Sequence, residues 1–328
     1  MDTRTSFRNA VKDAQSFETD KVDRRPGFIS SVARLRKAQK RDVRALPPIA
    51  NRRCGPVSDA ARLMADGATS AVEQTRRALE VINRLQPGLN AFAHLAPESE
   101  LLELAESLDR ERAEGKIRSP IHGLPISVKD VVHVKGMPTS SGSKVMEGFM
   151  PEDDATAVRL LREAGAIIMG KAHTHEFALG VTTPQSRNPW DTSRDPGGSS
   201  GGSAISVSTG MSYLSVGTDT RASIRVPASL CGTLGYKPTY GLVSTDGIVT
   251  LSWSMDHTGL MGRTSEDVAI MMNIIQGVDP KDSGTLDVPH DDYTDYLFKD
   301  VTGLRVRLVV EALEGADPET LNTFHACV

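Results

Sequence analysis

Two serines and one lysine, on three separated segments, are the residues of this chain best suited to chemistry. Ser223 lies in residues 217–225, GTDTRASIR; Ser199 lies in residues 197–203, GGSSGGS; Lys129 lies in residues 123–130, GLPISVKD. A free serine hydroxyl is a weak nucleophile and needs a base within hydrogen-bond reach. A lysine supplies that base only where burial or neighbouring donors bring it to the neutral amine. Ile126 and Val128 give Lys129 apolar surroundings, and the glycines and small residues around both serines allow backbones to approach closely. These types point to a hydrolase with a serine nucleophile and a lysine base. Taken alone, the 197–203 run also reads as a linker or a phosphate loop, but the Gly-Lys-Ser/Thr of a phosphate loop does not follow.

Other reactive types give weaker patterns. His173 and His175 flank Thr174, but Glu176 follows directly and the spacing is not His-Glu-x-x-His. They are expected to wall a pocket or pack a loop, and no metal is expected. His257 and Trp190 read as a structural histidine and a packing anchor. Cys54, Cys231 and Cys327 are odd in number and widely spaced, so they form neither a zinc pattern nor a disulfide framework. That favours a reducing compartment, with Cys231 a small core residue.

The chemistry needs a scaffold, and the chain alternates between helical and strand-like runs. Helices are expected over 58–67, with Ser58 and Gly67 as caps, and from Ser70, whose Ser-x-x-Glu pattern with Glu73 forms a capping box. The second helix carries Val72, Leu79, Ile82 and Leu85 on one face and stops at Pro87-Gly88. Further helices are expected over 98–114, 155–164, 203–209 and 264–275, with a helix barely begun over 317–328. Strands are expected over 125–129, 166–169, 213–216 and 303–310. This order predicts an α/β sheet covered by helices on both faces. Residues 1–56 stand apart as a helical arm and linker. A basic amphipathic helix over 28–46 is expected to pack on the core or on a second copy of the chain, leaving a homodimer through this arm open.

The 328 residues carry a net charge of −4, with 39% hydrophobic and 24% charged residues. That composition is ordinary for a globular chain and offers no case for nucleic acid. Neither a targeting segment nor an apolar run long enough for a membrane span is read, so a cytoplasmic, membrane-free protein is expected.

The three chemical motifs resemble the amidase signature family of Ser-Ser-Lys amide hydrolases. Residues 171–180 (KAHTHEFALG), 187–191 (RNPWD), 232–241 (GTLGYKPTYG) and 254–259 (SMDHTG) resemble the same family in its usual order. The resemblance runs from about Val57 to the end, which makes 57–328 the amidase domain and its sheet a mixed one. It implies Ser223 as nucleophile, Ser199 as a bridging serine held through a cis peptide bond, and Lys129 as the base. It places the oxyanion hole at the backbone N–H groups of Thr220, Arg221, Ala222 and Ser223. Ser200, Asp219 and Arg225 become supporting residues, the latter two as an ion pair, and Phe177 and Gly180 line the substrate pocket. A small-molecule amide is the implied substrate, cleaved to acid and amine through an acyl-serine without any cofactor. The alternatives are a glutamine-hydrolysing amidotransferase A-subunit type, with partner proteins and tRNA, and a truncated or degenerate inactive relative.

Two departures from the family pattern carry expectations of their own. Arg221-Ala222 stands where the family has two glycines. A non-glycine there costs about 1–2 kcal/mol if the position needs a positive φ. The chain also stops where the family continues with further strands, so a fragment, a truncated product or half of a two-chain assembly is expected.

Overall fold

Residues 125–129 (PISVK) are buried at every position, as the central strand of a sheet covered on both faces must be. A computed structural model describes residues 55–327 of the chain, which fall into two units, 55–300 and 301–327. The basic helix expected over 28–46 and Cys54 lie outside the described residues.

In the larger unit, β1 (Phe92–Leu95), β2 (Pro125–Lys129), β3 (Ile167–Ala172), β4 (Leu214–Asp219), β5 (Leu234–Tyr236) and β6 (His257–Gly262) form one sheet in the order β1-β3-β2-β4-β6-β5. The centre is parallel, with β2 between β3 and β4. β1, β6 and β5 join antiparallel, so the sheet is mixed. Period-two alternation sorts its side chains into two cores. On one face Ile126, Val128 and Ile168 pack with α1 (Pro56–Ala65), α4 (Thr156–Glu163) and α7 (Ser265–Ile275). On the other, Ile167 and Met169 pack with α2 (Ala71–Leu89), α3 (Glu98–Ala113) and α5 (Gly201–Ser208). Cys231, at the end of α6 (Arg225–Cys231), is fully buried in this second core, and burial pushes its thiol up to about 12.

Acidic residues fasten the helices to one another. Thr264 caps α7 with a full capping box to Asp267, and the same Asp267 carboxylate accepts the Val57 N–H at 3.0 Å at the start of α1. Asp109 on α3 accepts the Ala71 and Val72 N–H groups that open α2, at 2.7 and 3.1 Å. Ser70 caps α2 as expected, but only half of the box forms, because Glu73 turns to the Thr69 hydroxyl.

Several expected boundaries move. The first helix begins at Pro56, whose missing N–H costs nothing in a first turn, so Ser58 lies inside it and bonds Glu266 instead of capping. Pro87 does not end α2, which runs to Leu89. The Gln86 side chain bonds both Phe92 backbone groups and the Ala91 N–H, and Asn90 closes the helix in the left-handed conformation. The strand expected over 303–310 is absent. This run leaves a turn at Gly303, enters a 3-10 turn at Val310 and is exposed throughout, with no ladder partner among the described residues. Its alternation of Leu304, Val306 and Leu308 with Arg305 and Arg307 fits one face of a sheet, but alternation alone makes no strand without a neighbour to bond. α8 (Pro318–Cys327) follows it in the smaller unit.

Candidate active site

β2, β4 and the N-terminus of α5 converge on one point. Lys129 ends β2 with its side chain on the α5 face, shared with Ser127, which bonds Ser206 of α5 at 2.7 Å. Small residues, Gly201, Gly202, Ser203 and Ala204, let α5 lie directly against the strands. A Cβ on Gly202 would sit 2.3 Å from the Ala91 carbonyl oxygen. Of the four glycines in the run, only Gly197 has a positive φ. Gly197 thus needs glycine for its conformation, and the close backbone approach expected of the run explains Gly198, Gly201 and Gly202.

Lys129 is completely buried. Its Nζ lies 2.7 Å from Ser199 Oγ, 2.7 Å from Thr218 Oγ1 and 3.5 Å from Thr218 O. Burial pulls its pKa down from 10.5 to about 7, opposed by the carboxylates of Asp219 and Asp256. A neutral amine has two N–H donors and one lone pair. The two oxygens of Thr218 can take the donors, leaving the lone pair for the Ser199 hydroxyl. The peptide bond preceding Ser199, from Gly198, is cis. Ser199 itself is fully buried, and its carbonyl accepts the His175 N–H at 3.2 Å.

Ser223 sits in the turn between β4 and α6. The Ser200 N–H donates to the Ser223 carbonyl at 3.1 Å and the Ser200 hydroxyl to the Thr218 carbonyl at 3.2 Å, so the two serine segments are laced together. Asp219 shapes this turn. Its buried carboxylate takes a two-pronged bond from Arg225, both contacts at 3.0 Å, and the Ile224 N–H at 3.2 Å. Burial pushes Asp219 up, but these donors outweigh it and hold the carboxyl below its usual range. Arg225 also bonds the Arg221 carbonyl. Among the described residues, the N–H groups of Thr220, Arg221, Ala222 and Ser223 have no acceptor. Neither Arg221 nor Ala222 has a positive φ, so the strain that would follow from replacing glycine there does not arise.

The structure thus brings Lys129, Ser199, Ser200, Ser223, Asp219 and Arg225 together around the 220–223 turn. Phe177 lies in the 175–178 turn that holds Ser199, in a left-handed conformation shared with Ala178, and Gly180 packs against the His175 ring. His173 is largely buried, its pKa lowered by burial. Trp190, expected as a packing anchor, lies at the surface. It is 76% exposed, tied by its indole N–H to the Cys231 carbonyl and lying over Gly232.

Sequence reading missed Thr218, Asp256 and the partners of His257. Asp256 accepts the Thr220 hydroxyl at 2.5 Å and the Leu251 and Ser252 N–H groups, pinning the turn to the loop before β6. His257 Nδ1 meets the Asp219 carbonyl at 3.1 Å, and Lys237 Nζ lies 3.2 Å from its Nε2. The pairing of β4 with β6, Asp219 opposite His257, creates these contacts, and β6 carried no strand signal in the sequence.

A serine pair and a buried lysine thus meet on a mixed sheet covered by helices on both faces. The amidase family profile matches residues 73–328, and the chain belongs to that family, the amidase signature enzymes. It is 44% identical over 268 residues to the A-subunit of the glutamyl-tRNA(Gln) amidotransferase from Chloroflexus aggregans, an alignment covering 80% of this chain and 55% of that protein. The fold is similar to that of the peptide amidase from Stenotrophomonas maltophilia, with a TM-score of 0.69 and 38% identity over 76% of this chain and 52% of the other. It is also similar to a chain from a vestigial protein complex that reveals the evolutionary origins of an s-triazine catabolic enzyme. There the TM-score is 0.73, with 37% identity over 75% and 55% of the two chains. The chain spans about half the length of the curated relatives it matches.

Proposed function

We propose that this chain carries the Ser-Ser-Lys machinery of an amide hydrolase, cleaving a carboxamide or anilide to acid and amine through an acyl-Ser223 intermediate. The observation that carries this reading is the 2.7 Å contact between Ser199 and a fully buried Lys129 whose pKa is lowered to about 7. Neutral Lys129 takes the Ser199 proton as Ser199 takes that of Ser223, and the Ser223 oxygen adds to the substrate carbonyl. The unpaired N–H groups of residues 220–223 receive the developing oxyanion. The proton returns through Ser199 to the leaving nitrogen, the C–N bond breaks, and water then hydrolyses the acyl-serine by the same relay. No step calls on a cofactor or metal.

The similarity to amidotransferase A-subunits supports a second reading, in which the same machinery releases ammonia from glutamine for partner proteins. The two readings separate by assaying the chain on simple carboxamides and anilides and on glutamine, with ammonia and acid release measured. The first predicts release of acid and amine from the simple amides, abolished in Ser223→Ala. Ammonia from glutamine alone would move the chain to the second reading, and turnover surviving in Ser223→Ala would refute both.

A further inference from the structure

Directly behind Lys129, on the opposite face of β2, lies a second buried lysine that the proposed chemistry does not use. Lys171 of β3 is paired in register with Val128, so its side chain points away from Lys129. Its Nζ lies 3.1 Å from Asp130 Oδ1, with both side chains almost completely buried. It also donates to Thr139 Oγ1 at 2.6 Å and lies 3.4 Å from the Pro138 carbonyl. Asp130 in turn accepts the Ser140 N–H at 3.2 Å and the Ser140 hydroxyl, and its carbonyl accepts the Ser141 N–H at 3.0 Å. The pair therefore holds the segment 138–141 against the end of β2.

That segment does not sit there by its own preference. Ser141 has a φ of 51°, unfavourable for a residue with a side chain, and its fully buried hydroxyl has no hydrogen-bond partner among the described residues. Such a conformation persists only where surrounding contacts over-determine it. What it presents is specific. The Ser141 carbonyl accepts the Phe177 N–H at 2.8 Å, and Ser143 Oγ donates to Glu176 at 2.6 Å. A Cβ on Gly142 would lie 2.8 Å from the Thr174 carbonyl oxygen. The 175–178 turn so held, with Phe177 and Ala178 at φ 48° and 59°, gives the His175 N–H to the Ser199 carbonyl at 3.2 Å.

We propose that Asp130 and Lys171 are positioning residues. Their buried pair fixes the 138–143 segment, which fixes the 175–178 turn, which sets the backbone of Ser199 against Lys129. The inference rests on reading Ser199 as the bridging serine. Breaking one partner of a buried ion pair leaves an uncompensated charge and destabilises the fold, whereas replacing both keeps the interior neutral. The informative variant is therefore the double substitution Asp130→Asn with Lys171→Met, and Ser143→Ala breaks the same chain of contacts further along without touching the pair.

Two readouts are needed. Amide hydrogen exchange of the peptide covering 173–179 should accelerate by about tenfold or more in the double variant, and to a smaller extent in Ser143→Ala, while the β2 and β4 peptides keep their protection. The saturating rate of Ser223 labelling by a fluorophosphonate should fall by roughly tenfold to a hundredfold, with the concentration for half-saturation little changed. Unchanged exchange over 173–179 in a folded double variant overturns the inference, as does an unchanged saturating rate. Should the double variant fail to fold, normal exchange and labelling in Ser143→Ala overturn it. Failure of wild-type Ser223 to label would instead count against the proposed chemistry, while the exchange result would still decide whether the pair holds the turn.

Discussion

Thr218 and Arg221 bracket what residue types alone can say. Burial of Lys129 was foreshadowed by its apolar strand neighbours, but the two Thr218 oxygens that share its Nζ come from another strand and have no signature. Arg221 was expected to distort the turn if its position needed a positive φ. It does not, so glycine there relieves nothing. Its side chain is exposed two residues from Ser223 and forms no ion pair among the described residues. A guanidinium so placed is suited to grip a carboxylate on the substrate. The variant Arg221→Gly with Ala222→Gly should therefore keep kcat/KM on neutral amides within about twofold and lose about tenfold on amides carrying a carboxylate. A rise in kcat on neutral amides would show instead that the arginine hinders the turn.

At the scale of elements, the legible parts were those with a strong local signal. β2 was placed at its observed bounds, and α3, α4, α5 and α7 to within a residue or two, because a helix face or a buried apolar run marks each. β1, β5, β6 and α6 were not read at all. β5 has three residues, β6 contains two glycines, and α6 is a seven-residue helix with a proline inside it. Such elements form because the sheet offers them partners, which no local pattern records. The 220–223 turn was singled out by motif resemblance, whereas its pinning by Asp256 and His257 depended on the unread β6. Glycine placement gives this scale its test. Gly202→Ala puts a methyl 2.3 Å from the Ala91 oxygen and 2.5 Å from the His173 nitrogen, both backbone atoms that cannot rotate away. Overpacking of this kind costs about 1–3 kcal/mol or more, which predicts a melting temperature lower by about 5 °C. A melting temperature within about 1 °C of wild type would mean that α5 has room the packing does not show.

For the whole molecule, the described residues hold Lys129, Ser199, Ser223, the 220–223 turn and six strands in one unit, while the chain spans about half of its curated relatives. No described helix is long and apolar enough to cross a membrane. The substrate and partners are thus matters for assay, but the nucleophile and its base can be tested on the chain as it stands. The measurement is the rate of fluorophosphonate labelling of Ser223 against pH, read by mass spectrometry. Lys129 has a pKa lowered to about 7, so it is protonated and inert below that value and neutral above it. Labelling should accordingly rise through about pH 7 to a plateau. Ser199→Ala and Lys129→Ala should label only slowly, the latter without the acidic limb, and Ser223→Ala not at all. Undiminished labelling of Ser223→Ala, or an unchanged acidic limb with a substantial rate in Lys129→Ala, would contradict the account.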